Sequence, residues 1–477
     1  MKKIIYAVLC ALLVISPFAV TFYRAAVEIP PQYDGTFLGE FAEKHERLKS
    51  TDDPKIILIG GSNLAFGVDS EKLAEYVGMP VVNYGLYASL GTKALLDMSE
   101  PHIKEGDIVV ICPETNAQTY SLYYNGESMW QALDGDMSMI YDAGIDNFPK
   151  LVSTLPDFAG AKNSFYKSGN KPKASGIYSK DSFNEYGDIS VERKYNEMPG
   201  NYDSTTLINI STEIIEDGFV DYLNDYAAKA ERRGAQVFFS FSPMNASAVV
   251  STKEQKREFY MTLGESLDFP IISDIDKYIL SPAYFYDTNF HLNTRGAQLR
   301  TALLADDILR ETGVTEYVET VKLSAPKRPD NYFKDKIAEE DKNSMYFTYS
   351  KVEGGLSISG LTAIGKQQNE LTLPVSSDGQ PVISVGAEVF AQAKNLKKIV
   401  IPENTSVRNI SNRAFAGAQK LAGIEIYALP DKLTVGSLVF DGMNSSCNVY
   451  VPAENYGVFA SDYFWSGLMK YIKQIEQ

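Results

Sequence analysis

Histidine is scarce in this chain, with only three among 477 residues. A hydrolase built on a serine, a histidine and an acid needs a histidine as general base, so few positions qualify. His45 lies in a charged stretch that predicts a solvated helix face, and His102 lies in a predicted turn. His291 has a carboxylate, Asp287, four residues upstream and a predicted helix start just after it. His291 is therefore the candidate base.

Cysteine is equally rare, with three residues, one of them in an N-terminal apolar run. Cys112 and Cys447 fall in different predicted domains. We therefore expect no disulfide between them and interpret both as buried small apolar side chains. No group of cysteines and histidines has the spacing of a metal site. The sequence predicts neither a metal nor another cofactor.

Basic residues are outnumbered, with 45 Lys and Arg against 61 Asp and Glu and a formal net charge of −16. Contacts with phosphates need clustered Lys and Arg, so this balance argues against a nucleic-acid partner.

A chain of this length also exceeds one compact core and predicts two domains.

The chain has one long apolar run, over residues 4–23, preceded by Lys2 and Lys3. About 20 apolar residues span a bilayer, and the leading lysines favour a cytoplasmic start. The sequence thus predicts residues 1–24 as a single-pass membrane anchor, with the bulk of the protein extracytoplasmic. A cleaved signal peptide, which gives a secreted protein, is the alternative. In either case residues 25–51 are predicted to be a spacer.

A candidate nucleophile, Ser62, follows an apolar run and the pair Gly60-Gly61. A β-rich run that ends in Gly-Gly-Ser predicts a strand that delivers a serine onto a tight turn. Each candidate also has an ordinary interpretation. Ser62 taken alone is interpreted more simply as a small turn residue. Asp287 is also compatible with a turn carboxylate, and His291 with local packing beside a helix capped by Asn293.

Alternating patterns predict the architecture around these residues. Four apolar runs predict β-strands, at 55–60, 80–84, 107–112 and 235–241. Three stretches with helical periodicity lie between them, at 70–77, 89–99 and 212–233. Such alternation predicts an α/β domain over residues 52–323, with a parallel sheet covered by helices. Ser62, Gly85 and Asn116 each follow a predicted strand, so we expect them at the carboxyl edge of the sheet.

The ordered motifs resemble the SGNH (GDSL-type) hydrolase superfamily, over roughly residues 52–315. Ile59-Gly60-Gly61-Ser62-Asn63 is similar to the nucleophile block of surface acyltransferase-like members, such as the D-alanine transfer protein of teichoic acid. The resemblance implies a three-layer domain with Ser62 as nucleophile, His291 as base and Asp287 as its partner. The last block has one residue more between Asp287 and His291 than the usual Asp-x-x-His.

The resemblance also implies donors for an oxyanion. Gly85, in Asn83-Tyr84-Gly85, matches the glycine whose N–H group serves this role in the family. Asn116 is the candidate for the side-chain donor, although the family's Gly-x-Asn pattern is not kept. Glu114 cannot replace that donor unless it is protonated, because a carboxylate repels an oxyanion.

Residues 116–205 have little periodicity and predict a long insertion that acts as a lid or substrate platform. Four of its aromatic side chains are candidates for stacking on sugar rings, although packing is the commoner role: Tyr120, Tyr123, Tyr124 and Trp130.

The C-terminal third contains a repeat. Three phenylalanines recur at intervals of 25 residues: Phe390, Phe415 and Phe440. Other apolar columns keep the same period, and the pattern resembles the BspA-like leucine-rich repeats of bacterial surface proteins. It predicts a short solenoid at 344–455 with a cap at 456–477. The Pro- and Lys-rich segment 324–343 is predicted to be a flexible linker between two independent modules.

These patterns favour an extracytoplasmic serine O-acyl esterase or acyltransferase that acts on acyl groups of a cell-envelope glycan. The partners that the resemblance implies are an acylated envelope polysaccharide and, for transfer, a membrane O-acyltransferase. The alternative is a surface adhesion or scaffold protein, with a degenerate SGNH-like domain and repeats that bind a partner.

Overall fold

The chain is an α/β protein with parallel sheets. The computed structural model describes residues 16–172, 176–198, 201–203, 206–313, 324–329, 341–352, 354–436, 438–462 and 465–475. One parallel sheet with its helices occupies the N-terminal two thirds of the chain, and two further sheets with short strands occupy the C-terminal third.

The N-terminal sheet has four parallel strands in the order β2-β1-β3-β4. Its strands are β1 (Ile56–Gly60), β2 (Val81–Asn83), β3 (Ile108–Cys112) and β4 (Gln236–Phe239). The four strands predicted from the sequence are confirmed, and so is their parallel arrangement. A separate parallel pair is formed by β5 (Met244–Asn245) and β6 (Ile279–Leu280).

Helices cover this sheet. They are α1 (Phe41–Ser50), α2 (Ser62–Ala65), α3 (Ser70–Val77), α4 (Thr92–Ser99), α5 (Gly126–Leu133), α6 (Phe148–Ser168), α7 (Phe219–Arg232), α8 (Lys253–Ser266) and α9 (Thr294–Glu311). The helix predicted at 70–77 is confirmed. The helix predicted at 212–233 is shorter, because Gly218 precedes α7 in the left-handed conformation, with φ of 81°.

Both faces of the sheet are buried. Ile57 and Ile59 of β1 point into one large apolar cluster, whereas Ile56 and Leu58 point into a second one that contains Leu304 of α9. Every residue of β1 is buried. Burial on both faces explains why this strand is a continuous apolar run rather than an alternating one.

The segment 25–51 is part of this core, so its prediction as a spacer was wrong. Tyr33, Phe41 and Leu48 are buried within the larger cluster. His45 of α1 is only 1% exposed, which also contradicts the predicted solvated helix face. The charged residues around His45 predict exposure, but α1 packs on the domain through an apolar stripe.

The predicted insertion 116–205 is more regular than expected. It contains α5 and the 21-residue helix α6. Of its candidate sugar-stacking residues, Tyr120, Tyr124 and Trp130 are buried, and the Trp130 ring stacks on Phe158 at 5.6 Å. These three aromatic side chains therefore pack in the core, which is the commoner of their two interpretations.

The 25-residue repeat corresponds to strand pairing. Strands of the C-terminal region are β7 (Phe347–Val352), β8 (Gly355–Leu361), β9 (Glu370–Thr372), β10 (Ser376–Ser377), β11 (Gln380–Val385), β12 (Lys398–Ile401), β13 (Asn409–Ile410), β14 (Gly423–Ile426), β15 (Thr434–Val435), β16 (Asn448–Val451) and β17 (Ile472–Gln474). Ile399 of β12 pairs in parallel with Ile424 of β14, which pairs with Val449 of β16. The predicted register is confirmed.

Repeated phenylalanines stack behind these strands. The ring centroids of Phe390 and Phe415 lie 5.6 Å apart, and those of Phe415 and Phe440 lie 5.8 Å apart. Trp465, in the segment predicted as a cap, is buried 6.3 Å from Phe440. The segment also adds β17 to the edge of β16, so it continues the sheet as well as closing the core.

Both described cysteines are free and buried, as the sequence predicts. Cys112 ends β3 in the N-terminal sheet, and Cys447 precedes β16 in the repeats.

The two regions of the chain are in direct contact. The short helix α10 (Tyr456–Ser461) follows the repeats and packs against α5. The carbonyl oxygen of Ser461 accepts hydrogen bonds from Asn125 and Ser128, and that of Gly457 accepts one from Gln131 at 3.0 Å. This docking differs from the independent modules expected from the linker. Residues 330–340 of that linker lie outside the described residues.

Most of the predicted anchor, residues 1–15, also lies outside the described residues. Residues 16–23 are helical. Within the described part of the chain, no helix combines the length and the apolar character needed to cross a membrane. The anchor stays a prediction.

Substitution of Gly457 by alanine is expected to weaken this docking. A Cβ at this position would lie 2.6 Å from the Tyr33 hydroxyl, and Tyr33 is held between the rings of Phe158 and Phe165. Overpacking of this kind costs about 1–3 kcal/mol. Limited proteolysis should therefore cleave the C-terminal segment faster in the variant. The matched control is Gly467→Ala, where a Cβ meets nothing within 4 Å. Equal cleavage of the two variants would contradict the docking.

Candidate active site

Ser62 lies at the carboxyl end of β1, at the first position of α2. The two glycines before it have no room for a side chain. A Cβ on Gly60 would lie 2.3 Å from the carbonyl oxygen of Cys112, and one on Gly61 would lie 2.7 Å from Oε1 of Glu114. The Gly-Gly-Ser turn therefore packs closely against the carboxyl end of the neighbouring strand β3.

The structure brings Ser62, His291 and Asp287 together. The His291 Nε2 atom lies 2.7 Å from the Ser62 hydroxyl oxygen, and the His291 Nδ1 atom lies 2.9 Å from Oδ1 of Asp287. The turn between the acid and the base is held by Thr288, whose hydroxyl accepts from the His291 amide at 3.0 Å. Asp287 therefore reaches His291 within hydrogen-bond distance, although one residue more separates them than in Asp-x-x-His.

Packing fixes the orientation of the imidazole. The Phe66 ring stacks on His291 with a centroid distance of 4.0 Å and an interplanar angle of 3°. The guanidinium carbon of Arg193, from the predicted insertion, lies 5.5 Å from the centroid of the Phe66 ring. The same side chain donates a hydrogen bond to the carbonyl oxygen of Leu292. His291 is only 5% exposed, so its Nε2 atom has little freedom except toward Ser62.

Tyr178 is a site residue that sequence reasoning missed. Its hydroxyl donates to Oδ2 of Asp287 at 2.6 Å and lies 3.3 Å from His291 Nδ1. Burial alone would raise the pKa of Asp287, but the charge of His291 and hydrogen bonds from His291 and Tyr178 lower it. Asp287 therefore stays ionised and stabilises a protonated imidazole. No local motif marks Tyr178, because it lies 109 residues before Asp287.

Gly85 lies close to the nucleophile, but its amide is engaged. A Cβ on Gly85 would lie 2.4 Å from that of Leu64 and 2.8 Å from the carbonyl oxygen of Gly61. The Gly85 N–H group donates to Oδ1 of Asn83 at 3.1 Å. The glycine is thus required for close packing, and its predicted role as an oxyanion donor requires this internal bond to be exchanged.

Asn116 has a local role. Its side-chain oxygen accepts from the amides of Gln118 and Thr119, both at 3.1 Å, and so caps the turn that follows β3. Among the described hydrogen bonds of Asn116, none reaches Ser62, Asp287 or His291. The structure gives no support to the predicted oxyanion role of this side chain.

Glu114 occupies the position beside the nucleophile instead. Its Oε1 atom lies 3.0 Å from the Ser62 hydroxyl and accepts from the amide of Asn63 at 3.2 Å. The side chain is buried, and no lysine or arginine lies within ion-pair distance of it in the described part of the chain. The buried Arg300, whose charge acts on Glu114, donates to the carbonyl oxygen of Asn63.

Burial raises the pKa of Glu114, although the charge of His291 and the hydrogen bonds from Asn63 and Ser62 work in the opposite direction. The shift is toward the neutral acid, and a neutral carboxyl group can donate a hydrogen bond where a carboxylate cannot. The sequence showed Glu114 at the end of the strand, but only the structure shows its contact with Ser62.

The repeats form part of the wall of the cleft beside this site. A cleft of about 300 Å³ is lined on one side by Asp287, Thr288 and Met198, and on the other by Arg408 and Asp431. A larger groove of about 1050 Å³ lies elsewhere, between α6 and the C-terminal segment. Its described lining includes none of Ser62, Asp287 and His291. Of the residues in the hydrogen-bonded series, Asp287 is the one that lines the smaller cleft.

Known proteins give no independent assignment. A scan of protein-family models finds no match to this chain, and a search of curated proteins finds none either. The resemblance to SGNH hydrolases therefore depends on the short motifs and on the geometry of the site.

Substitution of Glu114 by glutamine is expected to raise stability at neutral pH. The unfolded chain loses this proton near pH 4.3 and the folded protein loses it at a higher pH, so the stability that Glu114 contributes falls from about pH 4.3 until the pH passes the folded-state pKa. Glutamine removes this penalty and keeps the shape. Thermal unfolding of both proteins between pH 3.5 and 8 should show a difference in Tm that appears only above about pH 4.3.

Glu265→Gln, at an exposed position on α8, is the control and should leave the difference in Tm independent of pH. A Glu114→Gln protein that is less stable than the wild type at pH 7 would show that Glu114 is ionised in the folded state.

Proposed function

We propose that the protein is an extracytoplasmic serine O-acyl esterase or acyltransferase of the SGNH type. The observation that supports this proposal is the continuous series of hydrogen bonds from Asp287 through His291 to Ser62. A serine hydroxyl at 2.7 Å from an imidazole nitrogen whose other nitrogen faces a carboxylate is the arrangement that activates a serine nucleophile.

In the proposed reaction, the Ser62 oxygen attacks the carbonyl carbon of an acyl ester while its proton moves to Nε2 of His291. Asp287 stabilises the resulting imidazolium without taking the proton itself. His291 then gives the proton to the leaving alcohol, and the acyl group remains on Ser62. Water or a sugar hydroxyl then gives its proton to Nε2 of His291 and attacks the acyl-enzyme, and His291 passes the proton to the Ser62 oxygen as that oxygen leaves.

Negative charge that develops on the carbonyl oxygen needs donors. The Ser62 amide at the start of α2 and a neutral Glu114 are the groups that we assign to this role. Gly85 would contribute after its amide leaves the side chain of Asn83. A protonated glutamic acid thus replaces the side-chain amide expected from the family pattern.

We also propose that the domain is a three-layer SGNH fold and that the C-terminal region is a short BspA-like leucine-rich-repeat solenoid. The burial of both sheet faces supports the first statement, and the parallel pairing at 25-residue intervals supports the second. Because residues of the repeats such as Arg408 line the cleft beside Asp287, the repeats would contribute to substrate selection.

An acylated cell-envelope glycan is the substrate class that we propose. The cleft has charged and polar side chains on both sides, among them Asp203, Asn409 and Lys432, which can form hydrogen bonds with sugar hydroxyls. Water as the acceptor gives an esterase, and a sugar hydroxyl gives a transferase. The predicted anchor favours transfer beside a membrane O-acyltransferase, since it would hold the protein at the cell membrane.

One observation favours the second candidate function, a surface scaffold with a degenerate hydrolase domain. The two donors expected from the family pattern are engaged in local hydrogen bonds, Gly85 with Asn83 and Asn116 with its own turn. In such a protein the repeats would bind a partner and Ser62 would have no turnover.

The Ser62→Ala protein is expected to lose turnover of acyl esters by about 10⁴–10⁶-fold, because the nucleophile is gone and the binding groups remain. Release of acetate from an O-acetylated sugar, measured with the full chain, tests this. Ser153→Ala, at an exposed position of α6, is the matched control and should keep wild-type activity. Unchanged Tm in both variants shows that folding is intact. Full activity in Ser62→Ala, or none in the wild type with any acyl ester, would contradict the proposal.

A further inference from the structure

The two histidines that the proposed reaction does not use come together in space. His45 lies on α1, His102 ends the 3-10 turn Glu100–His102, and Asp142 ends the 3-10 helix Met137–Asp142. Nε2 of His45 lies 3.0 Å from Oδ2 of Asp142, and Nε2 of His102 lies 2.9 Å from the same oxygen. Two of the three histidines in the chain therefore contact the same carboxylate.

We propose that His45, His102 and Asp142 form a binding site for a divalent transition-metal ion, with zinc as the ion that fits best. This inference does not depend on the proposed acyl chemistry. It differs from the prediction made from the sequence, which found no metal-ligand spacing, because the three residues come from segments far apart in the chain.

The donor atoms have the right types and distances. Two imidazole nitrogens and one carboxylate oxygen are a common ligand set for zinc, with bonds of about 2.0–2.2 Å. A tetrahedral ion with such bonds separates neighbouring donors by about 3.3 Å. The three donor atoms lie within 4.8 Å of one another, and their closest pairs are already at 2.9 and 3.0 Å. The two His–Asp pairs need to open by a few tenths of an ångström, and the two imidazole nitrogens, at most 4.8 Å apart, need to lie at about 3.3 Å to bind the ion.

A second hydrogen bond orients one of the ligands. Nδ1 of His45 lies 2.7 Å from the hydroxyl of the buried Tyr84. Metal-bound histidines commonly donate their other ring N–H group to such a partner, which fixes the tautomer that presents Nε2 to the metal.

The site is reachable from solvent. The His45 side chain is 1% exposed, whereas those of His102 and Asp142 are 20% and 19% exposed. Three protein ligands leave a fourth position for water on that open side. The ion would join α1, the turn after α4 and the predicted insertion. Through the hydrogen bond of His45 it would also fix the Tyr84 side chain.

Zinc binding to the purified full chain tests the proposal. After removal of metals with a chelator, calorimetric titration with zinc should show one site per chain, and zinc should raise Tm, because an ion that binds only the folded state stabilises it. Tyr84→Phe should weaken binding by about 10–100-fold through loss of the orienting hydrogen bond. His102→Ala and Asp142→Asn each remove a ligand and should weaken binding more strongly.

The control is His291→Ala, which leaves the site intact and should bind zinc as the wild type does. Asp142→Asn is nearly isosteric, so its unfolding curve without zinc shows whether the fold survives. A cluster held by hydrogen bonds alone would give a Tm that is indifferent to zinc and chelator in every variant. That result, or stoichiometric binding that persists in both His102→Ala and Asp142→Asn, would overturn the proposal.

Discussion

The hydrogen bond between His291 and Ser62 is the interaction on which the rest of the site depends. It joins residues 229 positions apart and has a length of 2.7 Å. It forms only if the end of β1 and the turn before α9 meet at the same edge of the sheet. Both side chains are almost fully buried, at 5% and 6% exposure. The stack with Phe66 then leaves the imidazole one productive orientation.

Two carboxyl groups, those of Asp287 and Glu114, flank this hydrogen bond, and their surroundings shift their pKa values in opposite directions. Asp287 is held ionised by His291 and Tyr178, and the pKa of Glu114 is raised by burial without an ion-pair partner among the described residues. The surroundings therefore shift Asp287 toward the carboxylate and Glu114 toward the neutral acid. Separation of two acids by environment is a general way of assigning acid and base roles.

The sequence predicted the features that local periodicity or a short motif encodes. The strands of the sheet, the 25-residue register of the repeats and the grouping of Ser62, Asp287 and His291 are of this kind. The features that the sequence did not predict are contacts between side chains from distant segments. Tyr178 on Asp287, Glu114 on Ser62 and the meeting of His45 with Asp142 have no periodic or local signature, since each depends on how the whole chain folds back. The charged stretch around His45 is typical of a solvated helix face, but the fold buries this side chain against the N-terminal domain.

The central claim is that Ser62 is an activated nucleophile, and covalent labelling tests it most directly. A fluorophosphonate loses fluoride when an activated serine attacks its phosphorus, so the purified full chain should take up one label per molecule. Peptide mass spectrometry should locate the label on Ser62, and His291→Ala should slow labelling by orders of magnitude because the base is absent. No labelling of the folded protein, or labelling of another serine at the same rate in Ser62→Ala, would contradict the account.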